Sequence, residues 1–416
     1  MRVQLRRVAA VGNKKSAFED SLRPYIGLEH ITSWTGEIIA SDDATPEGLV
    51  AHFEKGDILF GKLRPYLAKV AAPKFRGVCS TEALVVKPGK RVETRFLRYS
   101  VSAPSFIDRV NAATYGAKMP RASWENIGTE TIWVPDLATQ RHIADFLDRE
   151  TARIDLLIEK KQCLVALLPE KEKNEISRLV MCGSDPSAAV RDTGIFWRDM
   201  VPAHWEESRL KAHFRIQKRQ GFDDLTVLSV YREYGVIEKA SRDDNINKTP
   251  EDLSKYQVVE PGDLVINKMK SWQGSLGISA FKGITSPDYV VMTPCAEHHP
   301  KYVHHLLRAV PMPTVYHLIS NGIRTDQWRM EPDRFLSLPV FLPPMEEQNE
   351  IARKVDEELA RLRSLAEAID ASIDRLKEYR SALITAAVTG QIDVQTYAKS
   401  GTPDRRLDAI QEEMGA

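Results

Sequence analysis

At 416 residues, with 43% hydrophobic and 8% aromatic side chains, the chain has material for two to three cored domains and is not a disordered tail. Its 58 basic and 58 acidic residues cancel, which excludes a uniformly cationic coat while leaving room for local basic surfaces. No secretory signal opens the sequence and no run approaches ~18 apolar residues, so no membrane partner is expected. The four cysteines (Cys79, Cys163, Cys182, Cys295) form no CxxC pair, which points away from a disulfide framework or zinc cluster and toward a reducing cytoplasm.

In chain order, the first clear element is Gly56–Tyr66 (GDILFGKLRPY), a Gly-Asp turn running into an apolar strand. Ala83–Val86, ended by Lys87-Pro88-Gly89, is a second strand, and Ile132–Val134 before Pro135 a third. Apolar residues at Ile143, Leu147, Ile154, Leu157, Leu164, Leu168, Ile176 and Leu179 then predict a long helix interrupted at Pro169. The turn-rich stretch Cys182–Ser187 (CGSDPS) is a linker, after which Val201–Trp205 (VPAHW) opens a new round, with Leu210 answering Leu5. Gly262–Trp272 (GDLVINKMKSW) is again a Gly-Asp turn and strand, and Leu338–Leu342 before Pro343-Pro344 is a closing strand. A second helix follows, with its stripe at Ile351, Val355, Leu359, Leu362, Ala366, Ile369, Ile373, Leu376 and Leu383. After Gly390 the periodicity is lost, and the tail, with Arg405-Arg406 between Asp404 and Asp408, is expected to fray into solvent.

The two rounds are one sequence written twice. Gly56–Tyr66 aligns with Gly262–Trp272 at an offset of 206, and Phe75–Ser80 with Phe281–Ser286 at the same offset. Gln140–Val180 aligns with Gln348–Val388 at 208. Colinear blocks whose offsets differ by only two residues imply duplication. Each copy has a strand-rich part and a helix of about 60 Å at ~1.5 Å per residue. A helix with one apolar stripe must cover it, either on its own globular part or on the other helix. The length and pairing of the stripes favour the second arrangement.

The expected fold is therefore α+β. Two mixed α/β domains are separated by two long antiparallel helices forming a coiled-coil rod. The boundaries are 1–136 (first mixed α/β domain), 137–182 (first helix), 183–343 (linker and second mixed α/β domain), 344–391 (second helix) and 392–416 (tail). The helix-packing residues are Ile143, Leu147, Ile154, Leu157, Leu164, Leu168, Ile351, Val355, Leu359, Leu362, Ile369, Ile373 and Leu376.

No catalytic, cofactor or metal site is expected. Gly56-x4-Gly61-Lys62 resembles a phosphate-binding loop, but Leu63 stands where Ser or Thr belongs and Pro65 stops the required helix. No Asp/Asn-Pro-Pro-aromatic segment is present to hold a flipped base. Pro135-Asp136 with Glu159-Lys160-Lys161 could mimic a nuclease motif, although a charged helix face accounts for it better. His298-His299 and His304-His305 lack partners at ligand spacing.

Binding is where the residues point. Between Glu54 and Arg121 there are fourteen Lys/Arg against five Asp/Glu, in a chain whose total is zero, so charge is segregated. Lys62, Arg64 and Tyr66 match Lys268, Lys270 and Trp272 across the repeat. If extended, each triplet shares one strand face and could meet phosphates; a solvated edge strand capped by an aromatic is the competing reading. A second pair of segments, Tyr115–Trp124 and Asn321–Arg329, offers Lys118, Arg121, Arg324, Gln327 and Arg329 as DNA contacts, since Arg can read guanine and Gln adenine in the major groove. A purely structural turn is the alternative there.

These residues resemble the DNA-specificity subunits of type I restriction–modification enzymes. The likeness covers about residues 1–391 and rests on three features: the duplicated Gly-Asp strand, the segment Ile132–Ala144 (IWVPDLATQRHIA), and its second copy Leu338–Ala352 (LPVFLPPMEEQNEIA). In the family, a Pro-Pro-x-x-Glu-Gln junction leads from a target-recognition domain into a spacer helix. The second copy matches, while the first carries Asp136 for the second proline and Thr139 for the glutamate. The resemblance implies recognition of a bipartite double-stranded DNA target by a non-catalytic subunit. It also implies two docked DNA methyltransferase subunits and restriction (translocase-endonuclease) subunits joined through them, with methyl donor and ATP belonging to those partners.

Overall fold

The computed structural model describes residues 1–19, 24–39, 46, 48–116, 118–222, 224–242, 249–322 and 328–399. Two compact units divide the chain: residues 1–162 with 370–416, and residues 163–369. The duplication read from the sequence is a duplication of architecture. In unit 1 a four-stranded antiparallel sheet runs in the order Ala9–Val11, Ala83–Pro88, Ile58–Gly61, Val70–Ala71. In unit 2 the order is Phe214–Ile216, Tyr289–Pro294, Leu264–Asn267, Leu276–Ile278. Even the register repeats: Ile58 faces Val86 and Gly61 faces Ala83, as Leu264 faces Met292 and Asn267 faces Tyr289. Each unit is closed by an early strand on its last one, Arg2–Gln4 on Thr131–Trp133 and Glu206–Arg209 on Pro339–Leu342.

The strands form where the sequence has short apolar runs, and both faces of the central strand are covered. Ile58 and Phe60 enter the main core of unit 1, with Phe96 and Phe106, while Leu59 enters a second cluster with Phe53 and Val85. Unit 2 splits in the same way, Leu264 and Ile266 on one side and Val265 on the other. A strand buried on both faces reads as a continuous apolar run, which is why no alternation marks it.

The long helices span Leu137–Cys182 and Met345–Thr389. Both alternatives for their stripes are realised at once. In unit 1, Ile143, Leu147, Ile154 and Leu157 share a core with Leu376 and Leu383 of the second helix and with the globular part. In unit 2, Ile176, Leu179 and Val180 share a core with Ile351 and Val355, against which Leu359 packs. Leu168, Leu362, Ile369 and Ile373 are also buried. The segments run antiparallel in each unit. Asp155 meets Arg380 in unit 1; Ser184, just past the first helix, meets Glu350 in unit 2, where Glu175 also lies in the field of Glu358.

Three expectations need correction. Pro169 does not interrupt the first helix, which continues to Cys182: the ring removes one main-chain donor, and buried Leu168 and Ile176 anchor the turns on either side. Leu164 is 38% exposed, because the stripe continues from Ile154 and Leu157 through Lys161, which is buried, to half-buried Val165 and Leu168. Lys161 is thus not on the solvent side of the helix. The first residues of the tail are folded: Ile392 and Val394 pack onto the unit 1 core, and a short helix spans Val394–Lys399. Asp404, Arg405, Arg406 and Asp408 lie outside the described residues.

Candidate nucleic-acid interface

The duplicated Gly-Asp motif is scaffold for the site. Gly56 (φ 96°) and Gly262 (φ 92°) occupy the left-handed region that a side chain disfavours. The following carboxylate locks the turn: Asp57 accepts from the Glu54 N–H at 2.9 Å and Asp263 from the Glu260 N–H at 2.9 Å. Both aspartates are buried and charge-paired, Asp57 with Lys87 at 3.5 Å and Asp263 with Arg219. The turn launches a buried central strand whose far end delivers the basic residues.

Beyond that strand the chain does not stay extended, so Lys62, Arg64 and Tyr66 do not share a strand face, nor do Lys268, Lys270 and Trp272. Each strand ends, at Gly61 or Asn267, and a 3-10 turn follows over Pro65–Leu67 or Ser271–Gln273. Pro65 fixes the first helical φ, and Arg64 before it is left-handed (φ 50°), a conformation that costs a non-glycine residue about 1–3 kcal/mol. The Arg64 N–H bond to the Pro120 carbonyl, 2.8 Å, helps hold it there.

That bond belongs to the main finding: in each unit the two candidate segments meet. In unit 1 the Ala122 N–H donates to the Lys62 carbonyl at 2.9 Å, and Leu63 bridges Arg121. In unit 2 the Met330 N–H donates to the Lys268 carbonyl at 3.0 Å. Tyr115 bridges Arg121, and Asn321 pairs with Arg329. The two-residue change of offset therefore lies inside this loop, and Arg121 is the structural counterpart of Arg329. Arg324 and Gln327 lie outside the described residues.

Side chains around these junctions are polar and accessible. Arg64, Tyr66, Lys118, Lys270 and Arg329 are exposed, and Lys62, Arg121, Lys268 and Trp272 half-buried. Arg121 is held through Nε by Glu82 at 3.1 Å. Trp272 sits 5.5 Å from Trp328 and 6.2 Å from His317 between ring centroids, with its indole N–H donating to the Met269 carbonyl. Lys270 and Gln273 open on a polar cleft of about 980 Å³ that also holds Arg232, Lys239 and Lys255. Burial, then the nearby Arg329, pushes the Lys268 ammonium below its ordinary range, and Lys218 adds to the effect. Sequence reasoning missed Lys218, because only sheet pairing brings it there from about 50 residues away.

The excess of basic residues over 54–121 does not form one surface. Arg95 is bound by Glu93, Asp145 and Asp148, Arg109 by Glu130, and Arg98 and Lys69 donate to the Thr35 and Leu28 carbonyls. Several of these positions are joints to the long helix. Arg95–Asp148 recurs as Lys301–Asp356. The junction glutamine recurs as well: Gln140 donates to the Pro135 carbonyl at 2.8 Å and accepts from the Glu93 N–H at 2.8 Å, and Gln348 donates to the Pro343 carbonyl at 3.0 Å and accepts from the His299 N–H at 2.9 Å.

Among the described residues no group of three His, Cys, Asp or Glu is placed to hold a metal, and no helix is long and apolar enough to cross a membrane. His304 and His305 are packing residues, with burial pushing their imidazoles down to about 3 and about 4.

Comparison with known proteins agrees with this duplicated plan. Residues 3–164 match the family described as type I restriction modification DNA specificity domain. The EcoDI specificity subunit of Escherichia coli is 26% identical over 159 residues, which is 37% of this chain and 35% of that protein, so this match spans about a third of the relative's length. The EcoKI specificity subunit of Escherichia coli (strain K12) is 19% identical over 384 residues, 86% of this chain and 78% of that one. The fold is that of the HsdS subunit from Thermoanaerobacter tengcongensis, with a TM-score of 0.53 at 20% identity over 94% of this chain and 97% of that one. It is also that of a chain from a structure of type I R-M complex assembly and conformational transition, with a TM-score of 0.54 at 18% identity over 94% and 98%. Over residues 3–164 the chain thus matches the type I restriction modification DNA specificity domain, and over most of its length it is similar to type I restriction enzyme specificity subunits.

Proposed function

We propose that the chain is the non-catalytic, cytoplasmic DNA-reading subunit of its complex. Each unit reads one part of a bipartite duplex target, and the long helices serve as the spacer and as the seat of two methyltransferase subunits, through which restriction subunits join. The observation that carries this is the meeting, by equivalent backbone bonds in both units, of two basic segments about 60 residues apart. In unit 1 the candidate contacts are Lys62, Arg64, Tyr66, Lys118 and Arg121. In unit 2 they are Lys268, Lys270, Trp272, Arg324, Gln327 and Arg329. Arg121, steadied at Nε by Glu82, keeps its outer N–H groups for a bidentate guanine contact.

The test is DNA affinity of the assembled complex across a salt series, by fluorescence anisotropy. Replacing Lys62 and Arg64 with alanine weakens binding and flattens its salt dependence, by a slope of about 0.9 for each phosphate no longer neutralised. Unchanged affinity at every salt concentration would remove that surface. A complex with no salt-dependent DNA binding at all would leave a helical scaffold as the only role.

A further inference from the structure

The units share one plan, yet their equivalent charged positions differ. In unit 2, Lys218, Lys268 and Arg329 line one pocket of about 360 Å³. Lys218 follows the strand Phe214–Ile216, Lys268 follows Leu264–Asn267, and Arg329 opens the strand Arg329–Met330, so three strand ends aim cations at one place. Among the described residues none of the three has an ion pair or a side-chain hydrogen bond. Glu331 borders the pocket and Asp288 lies within electrostatic reach of Lys268, but neither is bonded to the cluster. Like charges gathered without a bound counter-charge form a site for an anion.

Unit 1 lacks this arrangement. The Gly12 N–H bonds to the Val85 carbonyl as the Gln217 N–H bonds to Val291, so Asn13 stands where unit 2 has Lys218. Lys62 answers Lys268, and Arg121 answers Arg329, but Arg121 is neutralised by Glu82 at 3.1 Å. Among the described residues, one plan therefore carries at these positions three cations without a bonded counter-charge in unit 2 and one, Lys62, in unit 1.

We propose that Lys218, Lys268 and Arg329 clamp one backbone phosphate of the duplex on unit 2, and that unit 1 has no such clamp. This rests on the DNA-reading role proposed above and assigns these residues to affinity, not to sequence choice. A guanidinium fork and two ammonium groups suit the non-bridging oxygens of a phosphodiester, whose charge has the same sign at every sequence.

The experiment measures affinity of the assembled complex for its target duplex and for an unrelated duplex of equal length across a salt series. The triple variant Lys218→Gln, Lys268→Gln, Arg329→Gln loses roughly fivefold near ~0.15 M salt on both duplexes alike, and the log–log slope falls by about 0.9, the release expected for one phosphate. A transplant into unit 1, Asn13→Lys with Glu82→Gln, raises affinity for both duplexes and steepens the slope by a similar amount, a gain that misfolding cannot imitate. Loss confined to the target duplex would make the three residues base readers and overturn the clamp. So would an unchanged slope in the triple variant, or a transplant without gain if the triple variant fails to fold. If the unaltered complex binds neither duplex in a salt-dependent way, the DNA-reading role itself falls, and the clamp with it.

Discussion

Gln140 offers a test of what couples the globular part of unit 1 to its long helix. Its side chain is wholly buried and makes three bonds: Nε2 donates to the Pro135 carbonyl at 2.8 Å and to the Arg91 carbonyl at 3.1 Å, and Oε1 accepts from the Glu93 N–H at 2.8 Å. Gln140→Leu keeps the bulk and strands two carbonyls and one N–H. An orphaned buried polar group costs about 1–3 kcal/mol, and since exposed Arg91 lies near solvent, the lower bound gives roughly 3 kcal/mol in all. For a unit of this size that is a drop of roughly 6–12 °C in its unfolding temperature. Gln348→Leu strands only the Pro343 carbonyl and the His299 N–H, so unit 2 loses about 2 kcal/mol. Hydrogen-exchange mass spectrometry during a thermal ramp separates peptides of the two units and reads both effects. A loss below about 1 kcal/mol for Gln140→Leu, or a larger loss for Gln348→Leu, would refute this account of the joint.

Two further outcomes are expected. Arg380 is buried and binds Asp155 twice, at 2.8 and 3.1 Å, while donating to the Trp34 carbonyl at 3.2 Å. Asp155→Ala leaves that guanidinium unpaired and costs roughly 2–3 kcal/mol, at the lower end because Asp155 is partly exposed; adding Arg380→Met restores most of it. Chemical denaturation of the single and double variants checks this, and a double variant as unstable as Asp155→Ala would count against it. The third outcome concerns pH. Burial holds His304 near 3 and His305 near 4, below the unfolded value of 6.5. The unfolded chain therefore takes up protons first as pH falls, so the contribution is complete above about 6.5 and is lost progressively toward about 4 for His305 and about 3 for His304. At pH 5 each histidine costs unit 2 roughly 2 kcal/mol, at ~1.36 kcal/mol per pH unit. Replacing both with leucine should flatten the acid limb of unit 2 in a pH series of hydrogen exchange. An unchanged limb would mean that other groups govern it.

Much of this protein was legible in its residues because local physics writes a local signal. Gly56-Asp57 and Gly262-Asp263 mark turns that only glycine and a capping carboxylate make comfortably, and the steps of three and four from Ile351 to Leu383 mark a buried helical stripe. Repetition of both at nearly one spacing established the duplicated plan before any contact was known. Tertiary structure alone decided what depends on sheet register and on partners remote in sequence. Lys62, Arg64 and Tyr66 look like one strand face until Pro65 and the Pro120 carbonyl turn the backbone away. Pairing Arg121 with Arg329 requires knowing which hairpin gained two residues, and that Arg121 is tied to Glu82 while Arg329 has no ion pair among the described residues. Leu164 and Lys161 exchange their expected places because a stripe drifts around the helix, and which residue stays covered is set by the surface that meets it. Residue type states what each side chain can do; the convergence of distant strand ends determines which of them do it together.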